Sequence, residues 1–267
     1  MRVIRPFDPW KSPLCTCPEK YSFNPYTGCA HGCIYCYATY IPNFYRLREK
    51  KGLFRNLEKD LKDLPANALI SMSNSSDPYP PAERYREITR RCIEILKEYD
   101  VRLMVVTKSD IVLRDLKILS EMRSAVSITI TGLDELEPNA PSTERRIEAL
   151  KAVKDSGIPA ILRLDPVIPG INDRRFEIIE KTTPDHVVTS TLKLKADSMA
   201  RMGKRLLWLK NVSFEEKGVY RYFPEKMRRE VLYRIKNFCE NIGISVGFCR
   251  EGFEPPSRSC DGSHLLG

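Results

Sequence analysis

The chain has 267 residues with a net charge of +9, enough for one large domain with a sizeable core of the kind that single-domain α/β barrels build. No stretch approaches the roughly 18 consecutive apolar residues of a membrane span, and the N-terminus lacks the apolar region of a signal peptide, so a soluble cytoplasmic protein is expected. Nine cysteines are an odd number in a large chain, and three of them sit close together, which sets aside a secreted disulfide framework in favour of reduced thiols.

Residues 1–20 are Pro-rich and irregular, with Cys15 and Cys17 in Pro-Leu-Cys-Thr-Cys-Pro. Two cysteines have little use in a free tail, so this reads as an ordered arm. Residues 21–27 are expected to form the first strand and residues 37–50 the first helix. Between them lies Asn24-Pro25-Tyr26-Thr27-Gly28-Cys29-Ala30-His31-Gly32-Cys33-Ile34-Tyr35-Cys36-Tyr37-Ala38. Cys29, Cys33 and Cys36, spaced by three and then two residues, can converge on three irons of a [4Fe-4S] cluster and leave the fourth iron open. Gly28 and Gly32 permit tight turns, and small Ala30 and Ala38 keep bulk away. A zinc knuckle would need a fourth ligand, and His31 lies inside the loop rather than at a zinc-finger offset.

Further strands are expected at 69–73, 102–107, 126–131, 160–165 and 186–189, alternating with helices at 82–98, 113–122, 142–156 and 174–181. Ser142 reads as a helix N-cap and Gly157 as the stop of that helix. Six strands alternating with helices imply an α/β fold, a partial (β/α)6 TIM-like barrel, with function gathered at the C-terminal ends of its strands. Those ends carry Ser73-Asn74-Ser75-Ser76-Asp77-Pro78-Tyr79-Pro80, then Lys108, Thr129, Arg163 and Asp165. The first of these runs can hydrogen-bond the ammonium and carboxylate of a bound amino acid, although Ser and Asp also serve as ordinary turn and cap residues. Polar residues ending several strands together favour a site.

Past residue 190 the alternation fades. Residues 191–236 hold 13 Lys and Arg against 5 Asp and Glu, the source of nearly all the basic excess. Arg201, Lys204, Arg205, Lys210, Arg221, Arg228 and Arg229 are interleaved with Trp208, Phe214, Tyr220, Tyr222 and Phe223, which suits a nucleic-acid surface or, equally, an amphipathic segment whose aromatics are core. A helix over 225–241 and a strand over 244–249 follow. The chain therefore divides into an arm (1–20), a barrel (21–190) and a basic extension with a cysteine-bearing tail (191–267). If the arm and tail meet, Cys15, Cys17, Cys249 and Cys260 supply four thiolates for a second [4Fe-4S] cluster or a zinc ion, with Pro and Gly turns around them and His264 as a substitute ligand. Cys92 and Cys239, in helical patterns, read as packing residues.

Cys-x-x-x-Cys-x-x-Cys with an aromatic before the third cysteine resembles the radical S-adenosylmethionine (SAM) enzymes. With Ser-Ser-Asp, Thr107-Lys108-Ser109, Leu136-Glu137-Pro138-Asn139-Ala140-Pro141, Arg145-Arg146 and Pro166-Val167-Ile168-Pro169-Gly170, the chain is similar to the spore photoproduct lyase branch and its small uncharacterised relatives over residues 21–191 and the end of the tail. The resemblance implies a barrel of the radical SAM type, a cluster on Cys29, Cys33 and Cys36, and SAM contacts from Ser76, Lys108 and Thr129, with Asp77 and Arg163 beside them. Tyr35 would pack against SAM and Tyr37 would face the substrate as a catalytic residue. An external one-electron reductant such as ferredoxin or flavodoxin is implied, and a nucleic acid is the expected substrate. A peptide or small metabolite, or a metal-bearing nucleic-acid-binding protein without radical chemistry, are the other readings. One position departs from the lyase: where that enzyme has a hydrogen-donating cysteine, this chain has Asn74, whose amide cannot replace a thiol, so the lyase's repair route is not expected to carry over.

Overall fold

Runs of β-branched and aliphatic residues alternate with amphipathic helices along the chain, and the computed structural model, which describes residues 2–7, 14–254 and 257–267, folds them around one sheet. Part of the Pro-rich arm, Pro13 included, and the Pro255-Pro256 turn expected in the tail lie outside the described residues. In chain order, β1 (Ile4–Pro6) and β2 (Tyr21–Phe23) pair antiparallel, and β3 (Tyr26–Thr27) forms a small ladder with β4 (Arg48–Glu49). There follow α1 (Leu53–Lys62), β5 (Ala68–Met72), α2 (Glu83–Arg86), α3 (Ile88–Lys97), β6 (Val101–Thr107), α4 (Leu116–Ser120), β7 (Ser124–Thr129) and α5 (Thr143–Asp155). Then come β8 (Ala160–Val167), α6 (Phe176–Thr182), β9 (His186–Thr191), α7 (Ala196–Met202), the hairpin of β10 (Glu215–Lys217) and β11 (Tyr220–Tyr222), α8 (Glu225–Asn241) and β12 (Ser245–Phe248). The sheet runs β1-β2-β5-β6-β7-β8-β9-β12, parallel throughout except at β1, and its two edges do not pair. This is the expected α/β partial barrel, with β12 returning from the basic segment to extend it past β9.

Side chains alternate across each strand, and the two rows meet different neighbours. Ile70, Leu103, Val105, Val126, Ile128 and Leu162 face the helices and pack with Leu57, Ile93, Leu150 and Ile235 in one buried cluster. Each fully buried aliphatic of this kind contributes about 1.5–3 kcal/mol. The opposite row holds Leu69, Met104, Ala125, Ile161 and Val188, closed from below by Leu266 of the tail. Towards the C-terminal strand ends that inner row turns polar, with Ser71, Ser127, Thr129, Arg163, Asp165 and Ser190. An apolar floor under a polar mouth is what positions the site.

Three expected elements fold differently. Residues 37–50 hold only a short 3₁₀ turn (Ala38–Tyr40) and β4, because Pro42 has no N–H and Asn43 takes φ +53°; the first long helix is α1. The strand over 21–27 divides at Asn24-Pro25 into β2 and β3. The helix over 82–98 breaks at Glu87, in a left-handed conformation (φ +48°), into α2 and α3. Ser142 does cap α5, its hydroxyl accepting the Arg145 N–H, and Gly157 follows with φ +73°.

Candidate active site

The cysteine loop leaves β3 through Gly28, whose φ is +80°; a Cβ there would stand 2.5 Å from the carbonyl oxygens of Phe44 and Arg46. Only glycine allows that approach, and it lets the Cys29 N–H donate to Phe44 O (2.8 Å). The Ile34 N–H donates to Leu136 O (2.9 Å), and the Cys36 N–H to Cys33 O (3.1 Å). From the other side Arg201 of α7 donates to the carbonyls of Ile34 and Cys36, 2.9 Å each. Backbone and guanidinium together fix the loop from three directions.

Cys33 is buried and Cys29 and Cys36 partly so. Burial pushes the thiols up to about 12 for Cys29 and Cys33 and about 11 for Cys36. Thiols so placed become thiolates where a bound cationic centre offsets the lost hydration. Among the described residues no three His, Cys, Asp or Glu side chains stand close enough to hold one ion as they are. A three-thiol loop with no fourth protein ligand matches the donor set of a site-differentiated [4Fe-4S] cluster better than that of a four-coordinate structural zinc ion.

Behind the loop lie two carboxylates. Asp77, after β5, accepts from Thr107 Oγ1 (2.7 Å), the Lys108 N–H (2.7 Å) and the Tyr79 N–H (2.9 Å), and His31 Nε2 lies 3.3 Å away. Burial alone would lower the His31 imidazole and raise the Asp77 carboxyl. Their mutual attraction reverses both, so they are held as an ion pair. So bonded, Asp77 ties Lys108 to the loop. Glu137 accepts from the Tyr35 hydroxyl and Thr131 Oγ1 (3.0 Å), pairs with Arg146 (2.6 Å) and lies 3.5 Å from Lys108 Nζ. Burial raises the Tyr35 phenol well above its usual range, with Glu137 adding to it, so Tyr35 stays a donor. His31, Glu137 and Arg146 were not singled out as site residues by sequence reasoning. Each is fully enclosed, and the Glu-Pro and Arg-Arg segments that carry two of them were the only signal.

The polar mouth lies between Lys108 and β12. Arg163 pairs with Asp165 (3.2 Å), and Ser190 donates to Asp165 (2.6 Å). Ser76 donates to Tyr26 O (3.1 Å), and Thr129 is buried on the inner row with its carbonyl accepting from Arg146 (3.0 Å). Ser73 Oγ, Ser127 Oγ and Arg163 Nε are buried without a protein partner. Orphaned polar atoms on an inner face suit a polar ligand such as SAM. Tyr37 is 40% exposed, with its hydroxyl donating to Asn74 O (3.4 Å), yet burial raises its phenol, and Asp165, Cys36 and Cys249 add to the effect. Asn74 is committed elsewhere, its amide donating to Ser22 Oγ (2.9 Å) and Ser71 O (3.0 Å).

The basic segment does not present the interleaved surface that its sequence suggested. Arg228 is fully buried and paired with Glu251 (2.9 Å), Arg229 pairs with Glu225 (2.8 Å), and Arg201 serves the cysteine loop. Tyr220, Tyr222 and Phe223 are core, while Lys204, Arg205 and Lys210 remain at the surface. Of the cysteines near the termini, Cys17 and Cys260 bring their sulfurs to 3.4 Å. His264 turns instead to Ser259 (2.7 Å) and the His186 ring. Cys92 and Cys239 belong to the main core.

Comparison with known proteins agrees with this architecture. The sequence profile of the Radical SAM superfamily matches residues 23–182. An uncharacterised protein of Methanocaldococcus jannaschii is 36% identical over 196 residues, 69% of this chain and 72% of its own length. An uncharacterised protein of the Acidianus two-tailed virus is 27% identical over 173 residues, 57% of each chain. Among solved structures, a spore photoproduct lyase variant with bound AdoMet and dinucleoside spore photoproduct superposes with a TM-score of 0.68 at 17% identity, over 86% of this chain and 76% of the other.

Proposed function

The chain belongs to the radical SAM superfamily, and from that premise we propose that it abstracts a hydrogen atom from a nucleic-acid substrate seated over Tyr37. Family membership implies a [4Fe-4S] cluster and SAM, and on this reading Cys29, Cys33 and Cys36 hold the cluster. When bound, the cluster would supply one electron, drawn from an external donor such as ferredoxin or flavodoxin, for reductive cleavage of SAM. The chain's own residues do the rest. Ser73, Ser127 and Arg163 offer their unpartnered polar atoms to SAM, Lys108 and Thr129 close the inner wall, and Tyr35 packs against Lys108 from the loop side. The apolar floor under Leu266 keeps water from entering from below.

The observation that carries the substrate class is the pair of exposed tyrosines after the third cysteine. Tyr37 and Tyr40, one and four residues past Cys36, are 40% and 45% exposed, and Lys195 Nζ lies 4.5 Å from the Tyr40 ring. Exposed aromatic planes beside a cation suit a base and its phosphates. The lyase with which the fold superposes is seen with a dinucleoside lesion, which supports the same class. Asn74 supplies no hydrogen atom, so the product differs from that enzyme's or its hydrogen atom comes from elsewhere.

The test is anisotropy titration of single-stranded RNA and DNA across a salt series. Binding should weaken steeply with salt, Lys195→Glu should reduce the slope of log K against log salt by about 1, and Tyr40→Ala should weaken binding to both. No binding at low salt would turn the reading to a peptide or small metabolite.

A further inference from the structure

We propose that Cys15, Cys17, Cys249 and Cys260 form a second metal centre, a four-thiolate site separate from the cysteine loop that ties the arm before β2 to the tail after β12. The Cys17 and Cys260 sulfurs are 3.4 Å apart although 243 residues separate them in sequence. Cys249 lies two residues after Gly247, and Cys15 directly follows Leu14. Around the sulfurs the backbone is built for close approach. Gly247 of β12 has no room for a side chain, since a Cβ there would stand 2.6 Å from the Cys260 carbonyl oxygen. Gly252 (φ +76°) receives Leu14, whose Cδ2 would lie 2.6 Å from an added Cβ. Lys20 and Asp261, three residues after Cys17 and one after Cys260, form an ion pair whose side chains are 4% and 7% exposed.

Four soft donors select zinc or an iron–sulfur cluster over hard cations. Among the described residues no three of these side chains yet stand close enough to hold one ion, so loading draws Cys15 and Cys249 towards the Cys17–Cys260 pair. Metal affinity drawn from the two segments then adds to folding stability.

The experiment measures iron and zinc per chain in the anaerobically purified protein and in a variant with Cys29, Cys33 and Cys36 all replaced by Ala. That variant should keep about one zinc or about four irons per chain, and X-ray absorption at the edge of the retained metal should show a sulfur shell near 2.3 Å. Cys15→Ser with Cys17→Ser should lose that metal and keep the iron of the loop. Should the double variant fail to fold, the native protein still decides: iodoacetamide mapping should find Cys15, Cys17, Cys249 and Cys260 protected together and released together by a chelator. A triple variant that binds neither metal, a Cys17–Cys260 disulfide in the anaerobic protein, or immediate alkylation of Cys15 and Cys249 would overturn the proposal. Because the readout is metal left after the loop is destroyed, it is independent of the radical reading.

Discussion

Arg201 Nη2 donates to the carbonyl oxygen of Cys36 across 2.9 Å, so a cation from the basic segment is spent on the cysteine loop instead of on a partner. Its Nε reaches the Ile34 carbonyl, and Asp197 one turn earlier orients the guanidinium (2.8 Å). Arg201→Ala should therefore loosen the loop, lower stability by about 1–3 kcal/mol through lost charge-assisted hydrogen bonds, and speed loss of the iron chromophore under a chelator. Nucleic-acid affinity should barely change. Unaltered chelation kinetics would show that the clamp does not hold the loop.

Arg228 and Arg229 are neighbours in sequence with opposite fates. The Arg228 side chain is fully buried against Glu251, which also receives the Thr191 N–H (2.7 Å), whereas Arg229 is exposed, pairs with Glu225 and lies over the Phe253 ring at 4.3 Å. Arg228→Glu should cost about 3–5 kcal/mol by leaving buried charge unpaired, and Arg229→Glu well under 1 kcal/mol. Urea melts of the two variants check this. Equal midpoints would contradict the assignment of Arg228 to the core.

Glu137 is the hub behind Tyr35 and Lys108. Burial would raise its carboxyl, but Lys108 and Arg146 hold it below the usual value, so its contribution to stability is present above the unfolded value of about 4.3 and lost as pH falls through the lower folded one. Glu137→Gln should destabilise by about 3–5 kcal/mol at neutral pH, because it breaks the buried pair with Arg146 and leaves the half-exposed Asp134 as that guanidinium's carboxylate partner. The gap between the two melting temperatures should narrow below about pH 4. A gap that stays constant through that range would contradict the ionised state of Glu137.

The fold was legible because its signals are local and repeated: five of the six expected strands overlay β5 to β9 within two residues at each end, and Ser142 marked the start of α5. The failures have local causes as well. Pro42, Asn43 and Glu87 interrupt runs that read as helical, and a left-handed residue other than glycine leaves no mark in periodicity. The cysteine spacing located the loop, but its supports could not be read from it. Arg201, Glu137 and Asp77 reach the loop or its neighbours over separations such as 165 residues from Arg201 to Cys36, and pairing at that range is set by tertiary packing. The basic segment misled for the same reason, since sequence shows which residues are charged and not that Arg228 points inward at Glu251.

The most direct measurement is SAM cleavage by the reconstituted, reduced protein in the absence of oxygen, followed by chromatographic quantification of 5′-deoxyadenosine. The account expects 5′-deoxyadenosine from the native chain and none above background once Cys29, Cys33 and Cys36 are all replaced by Ala, since each thiolate secures one iron of the cluster. Undiminished formation of 5′-deoxyadenosine by that triple variant would contradict it.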